Sequence, residues 1–183
     1  MTKFFSVLSV AASALAFVYV WDGGRTSAHA QPGCVDVTDI KQMVGCLRHE
    51  LGRTATSCTG PPPTLGQPVP GRRTLTFGQK TSFGWESKGI AVESSFGAAV
   101  SAPAAGFVLF ADEFRSYGPI IIMDVGCGRD ALIAGPLEIG VHKGDQVGRD
   151  ARIATIAKRG EDLPVVYYEL RQDGEAVDPE SGR

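Results

Sequence analysis

Residues 165–171 read VVYYELR, so two tyrosines, a glutamate and an arginine follow one another on a stretch whose branched and aromatic residues mark a strand. Tyrosine offers a broad apolar ring with a polar tip, and arginine a planar fork suited to carboxylates. Together they have the make-up of interface anchors rather than of a reacting centre. Strand neighbours face opposite sides, so Tyr168 is expected in the core while Tyr167 faces away from it. The remaining chemistry is thin. After residue 50 the only histidine is His142, in a VHKGD turn, and a lone imidazole builds no zinc site. Cys127 lies in a Gly-Cys-Gly turn with no general base assigned to it by spacing, as nucleophilic catalysis would need. The carboxylates Asp112, Glu113, Asp124, Glu138 and Glu169 are scattered, without a glycosidase-like pairing. The residues point to binding, with no catalytic set, no metal and no cofactor.

The elements that position these residues read as all-β. FVLFADEF (107–114), PIIIMDVG (119–126), ALIAG (131–135), RIATIA (152–157) and VVYYELR (165–171) are short strand-like runs. Turn signals separate them: YGP, GCG, KGD, KRG and DG. Such punctuation predicts a compact barrel-like or sandwich sheet, not parallel α/β units. One helix precedes it. Val37, Ile40, Val44, Leu47 and Leu51 recur at three- and four-residue spacing, Asp36 or Thr38 is placed to cap the start, and Gly52 to stop it.

Residues 1–30 read as a signal peptide: Lys3, an apolar run from Phe4 to Trp21, and Ala28-His29-Ala30 at a cleavage site. The run is nearly long enough to span a bilayer, so the alternative is an uncleaved anchor in the inner membrane, the only membrane association expected. Residues 31–53 form the helical, cysteine-bearing segment, 54–70 a proline-rich linker, and 71–183 the β domain. The formal net charge is −2 with both signs mixed, which argues against a nucleic-acid partner. The four cysteines, Cys34, Cys46, Cys58 and Cys127, contain no C-x-x-C pair; in an exported, periplasmic chain they imply two disulfides, with three pairings open.

Several motifs recur in a fixed order: FG at 77–78, GAAVSAPAAGFV at 97–108, FRSYG at 114–118, VHKGDQV at 141–147 and YYELRQDG at 167–174. This series resembles the LytM domain of M23-type peptidoglycan metallopeptidases, over about residues 67–180. The resemblance implies the LytM-type fold, a duplicated, barrel-sandwich-like β domain. Active members hold zinc through an H-x-G-x-D motif and the second histidine of an H-x-H, with helper histidines nearby. Here Ser87, Ala91 and Tyr167 fall at the ligand positions, and Val165 and Gly135 at those of the helpers. The resemblance is closer to a degenerate branch, the EnvC-like murein hydrolase activators, whose groove binds a cell-wall amidase. Lys88, Tyr117, Tyr167 and Arg171 match that branch's groove position by position, and Ala91 stands where the activators carry a larger apolar residue. Members of that branch usually carry a long coiled coil before the domain, where this chain has only the short helix. The resemblance thus implies a non-enzymatic partner of a peptidoglycan hydrolase, acting in cell-wall remodelling or division. The alternatives are a divergent zinc peptidase and a module that binds peptidoglycan.

Overall fold

The expected helix forms over Ile40–Glu50 (α1), capped by Asp39, whose Oδ1 accepts from the backbone N–H groups of Lys41 (2.6 Å) and Gln42 (3.3 Å). The computed structural model describes residues 33–34, 39–54, 58, 64–82, 84–158 and 163–181. The expected signal segment, the cap candidates Asp36 and Thr38, and the prolines 61–63 lie outside the described residues. At its far end the helix stops as the sequence suggests. Gly52, at a φ of 62°, donates to His49 O, and Arg53 N donates back to Arg48 O, a closing pattern open to glycine because its backbone is left-handed there.

Eleven strands follow α1 among the described residues: β1 Arg72–Leu75, β2 Ile90–Glu93, β3 Ala99–Ser101, β4 Gly106–Phe114, β5 Gly118–Gly126, β6 Arg129–Ala134, β7 Leu137–Ile139, β8 Gln146–Val147, β9 Arg152–Ile156, β10 Val165–Gln172 and β11 Glu175–Val177. An eight-stranded sheet has the order β1-β2-β10-β6-β5-β4-β8, with β11 beside β10, and a smaller sheet has the order β3-β9-β7. All pairings are antiparallel. The five strands expected from aromatic and branched runs are β4, β5, β6, β9 and β10. The other six are short, and most are too polar or too brief for a period-2 pattern to emerge.

The large sheet is covered on both faces. Toward the small sheet, Ile121, Met123, Ile133, Val166 and Tyr168 pack with Val100, Ile153 and Ile156, and Leu65 and Val69 from the proline-rich stretch join them. On the other face α1 sets Ile40, Met43, Val44 and Leu47 against Phe110, Phe114, Ile120, Ile122 and Leu132. Burial of each such side chain contributes about 1.5–3 kcal/mol, which holds a helix of this length in place. Two disulfides add to this. Cys34 pairs with Cys46 on α1, and Cys58 with Cys127 in the β5–β6 turn.

Arg48 sits inside the α1 interface. Its Nη1 donates to Asp124 Oδ2 on β5, and its Nη2 to Asp130 Oδ1 on β6 at 2.5 Å, with all three residues buried. Burial pushes the Asp130 carboxyl up to about 6, and Arg48 pulls it only part of the way back. A carboxyl raised in the folded state holds its proton more tightly there than in the unfolded chain. Its contribution to stability is therefore full below the ordinary carboxylate value and is lost as pH rises through about 6. Asp130→Asn is expected to gain on the parent in melting temperature as pH climbs from about 4 to 7. A difference between the two that does not change across this range would contradict the assignment.

Candidate functional site

The face of the large sheet that α1 covers continues past the helix onto β10. Strand register sets Tyr167, Glu169 and Arg171 opposite Ala134, Leu132 and Asp130 of β6, so all six side chains share that face. Their neighbours Val166, Tyr168 and Leu170 point the other way into the core, with Tyr168 fully buried. Where the helix ends its cover, the face opens into a groove of about 530 Å³ floored by Ala134, Gly135, Tyr167 and Glu169.

Two loops wall the groove. One is the short 3₁₀ turn Arg115–Tyr117 between β4 and β5, which brings Tyr117 over β10 and stacks its ring on Phe114 at 6.2 Å. The other precedes β2. An isolated bridge between Lys80 and Glu86 closes it, Thr81 N donates to Trp85 O at 2.8 Å, and Ser87 N donates to Gln79 O at 2.9 Å. Trp85, Ser87 and Lys88 line the groove from this side. Gly89 lets the loop approach β10: a Cβ there would lie 2.3 Å from Tyr168 O and 2.9 Å from the Tyr167 hydroxyl.

The polar groups on the floor satisfy one another. Glu169 is 2 % exposed, and its carboxylate accepts from the Tyr167 hydroxyl at 3.0 Å and from Arg171 Nε at 2.5 Å. Arg171 Nη1 also donates to Gly174 O at 2.9 Å. Burial, reinforced by Glu169, pushes the Tyr167 phenol far above its ordinary value, and the same two causes raise Tyr117. Both phenols are therefore neutral donors at physiological pH. This groove offers apolar surface, fixed hydroxyls and an internally paired carboxylate, with the exposed cation Lys88 at its rim.

Among the residues singled out from sequence, Ser87, Lys88, Tyr117, Gly135, Val165 and Tyr167 line this one groove. Ala91 does not. It is buried in β2 opposite Leu75 on one side and Tyr167 on the other, so it shares the groove face of the sheet without lining the opening. Arg171 reaches the groove through Glu169. Of the groove residues without a role in the sequence reading, Glu169 and Trp85 matter most to its chemistry. Glu169 stood there as one scattered carboxylate, although the two-residue spacing of Tyr167, Glu169 and Arg171 puts all three on one strand face. Trp85 gives no sequence signal beyond an aromatic in a glycine-containing loop.

Comparison with known proteins bears on the family and the fold. Residues 86–179, from the Trp85 loop to just past β11, match the model of peptidase family M23. The chain is 33% identical over 117 residues to an uncharacterized protein of Neisseria meningitidis, covering 64% of this chain and 20% of that one. It is 31% identical over 114 residues to the murein hydrolase activator EnvC of Escherichia coli, covering 62% of this chain and 27% of that protein. The match thus spans about a fifth to a quarter of these curated relatives. Among solved structures, a mutant catalytic domain of the prophage-encoded M23 protein EnpA from Enterococcus faecalis superposes with a TM-score of 0.53 at 24% identity, covering 66% of this chain and 95% of that one. At that identity the likeness speaks for the fold.

Proposed function

The chain belongs to peptidase family M23, and from that premise we propose that it is an exported, non-catalytic regulator that binds a peptidoglycan hydrolase in its groove and activates it. The partner in this reading is a cell-wall amidase, engaged by Tyr117, Tyr167, Lys88 and the Glu169–Arg171 pair. Similarity to a murein hydrolase activator supports the activating role. Two disulfides in the described domain fit an oxidising compartment outside the cytoplasm and an N-terminal export signal.

One observation carries the non-catalytic half of the reading: the side chains at the positions of the family's zinc ligands do not fit a zinc ion. A catalytic zinc needs three protein donors with free lone pairs and one open position. Ala91 has no donor atom. Ser87 Oγ donates to Gly89 O at 2.7 Å and accepts from Gly89 N, which commits it to its own turn. Tyr167 keeps its proton and commits it to a hydrogen bond with Glu169. Of the helper positions, Val165 is apolar, and Gly135 has no side chain and little room for one. A Cβ there would lie 2.9 Å from Val165 O.

The test is the zinc content of the purified chain together with its action on purified sacculi. The expected result is zinc well below one equivalent and no release of peptidoglycan fragments by the chain alone. One zinc per chain with fragment release would establish a divergent peptidase instead. Retention on sacculi without any effect on an amidase would make the groove a peptidoglycan-binding module.

A further inference from the structure

Four large apolar side chains stand exposed among the described residues: Trp85 (75 %), Leu163 (57 %), Val165 (43 %) and Tyr117 (40 %). Three of them, Trp85, Val165 and Tyr117, line the same groove, and Leu163 lies two residues before Val165. Scattered single apolar residues are ordinary on a surface; a contiguous apolar rim around a cavity marks a contact surface. Trp85 is the most exposed of them, and the backbone of its loop is braced. The Lys80–Glu86 bridge and the bonds from Thr81 N to Trp85 O, Gly84 N to Thr81 O and Ser87 N to Gln79 O hold the backbone on both sides of the indole. The ring thus stands exposed on a braced backbone at the groove wall, with nothing in the described chain packed over it.

The charges around it indicate what covers it. Glu169 is neutralised by Arg171 within the floor. At the rim, Lys88 is exposed and forms no ion pair among the described residues, which leaves its ammonium open to a carboxylate on whatever covers the groove. We infer that Trp85 is a specificity-determining anchor of the groove, burying its indole against an apolar side chain of a protein segment that carries a carboxylate beside it for Lys88. The inference rests on the reading of the groove as a protein-binding site and adds the residue and the partner chemistry that decide which protein is taken. Tryptophan suits this role because a single indole, once desolvated, dominates the binding energy of many interfaces.

The test uses the full chain labelled with 5-fluorotryptophan and carrying Trp21→Phe, which leaves Trp85 as its one fluorinated indole. It is titrated with an unlabelled purified cell-wall amidase of the same organism, and separately with soluble peptidoglycan fragments. The expected result is a shifted and solvent-protected ¹⁹F resonance on complex formation with the amidase. Trp85→Ala should weaken that complex roughly tenfold or more at unchanged melting temperature, and Lys88→Glu should weaken it in the same direction. A complex that forms with the resonance unmoved, or that Trp85→Ala leaves intact, overturns this inference alone. A resonance that moves only with peptidoglycan fragments overturns it in favour of a glycan or stem-peptide contact. Failure of any amidase to bind overturns both the inference and the reading beneath it.

Discussion

Arg48→Ala is expected to destabilise the chain by about 3–5 kcal/mol, the usual result of removing one member of a buried ion pair. The size of the effect follows from what is left behind. Asp124 and Asp130 are each 3 % exposed, and Arg48 bridges them from α1. Without the guanidinium, two like-charged carboxylates face each other in a layer otherwise built of Met43, Leu47, Ile122 and Leu132. At about 2–4 °C per kcal/mol for a domain of this size, the melting temperature should fall by about 10 °C. Burial already raises the Asp130 carboxyl, and loss of Arg48 would raise it further, so the deficit should shrink as the pH is lowered toward 5. Arg48→Met with Asp124→Asn and Asp130→Asn removes all three charges and should recover most of the loss, since apolar or neutral replacement of a whole buried network costs little. A fall of less than about 1 kcal/mol for Arg48→Ala would mean that α1 is not held by this network.

Tyr167→Ala combined with Arg171→Ala is expected to reduce activation of the partner hydrolase about thirtyfold or more, as loss of two anchors of about 2 kcal/mol each allows even when their effects overlap. The double change removes both partners of Glu169, leaving a buried carboxylate unpaired, so a loss of activation could simply reflect a damaged groove. Adding Glu169→Gln takes away that charge and separates the two causes. The triple variant should regain stability and stay inactive as an activator. Activation restored along with stability would show that Tyr167 and Arg171 only hold the floor together and do not touch the partner.

How far the sequence could be read depended on the range of the interactions. β4, β5 and β10 were legible because Phe107–Phe114, Pro119–Gly126 and Val165–Arg171 carry their own branched and aromatic signature. The apolar stripe of α1 was legible at helical spacing. β1, β7, β8 and β11 were not, since two to four residues such as RRTL, LEI, QV and EAV form strands only because a neighbouring strand pairs with them. The tertiary network was invisible for a different reason. Arg48 meets Asp124 and Asp130 across 76 and 82 residues of chain, and an arginine on a helix ordinarily reads as solvated. Pairing of Cys34 with Cys46 and of Cys58 with Cys127 likewise follows from where α1 and the β5–β6 turn lie in space. At the groove, motif order led to Lys88, Tyr117 and Tyr167, while Trp85 escaped notice because no spacing rule reports exposure.

We propose a groove that binds a protein partner at the positions where active members of the family bind zinc. The most direct measurement is the rate at which a purified amidase of the same organism releases fragments from dye-labelled sacculi, with and without this chain, beside the chain alone. The account predicts no release by the chain alone, and a several-fold faster release by the amidase when the chain is present. Release by the chain alone, or an amidase rate that the chain leaves unchanged, would contradict it.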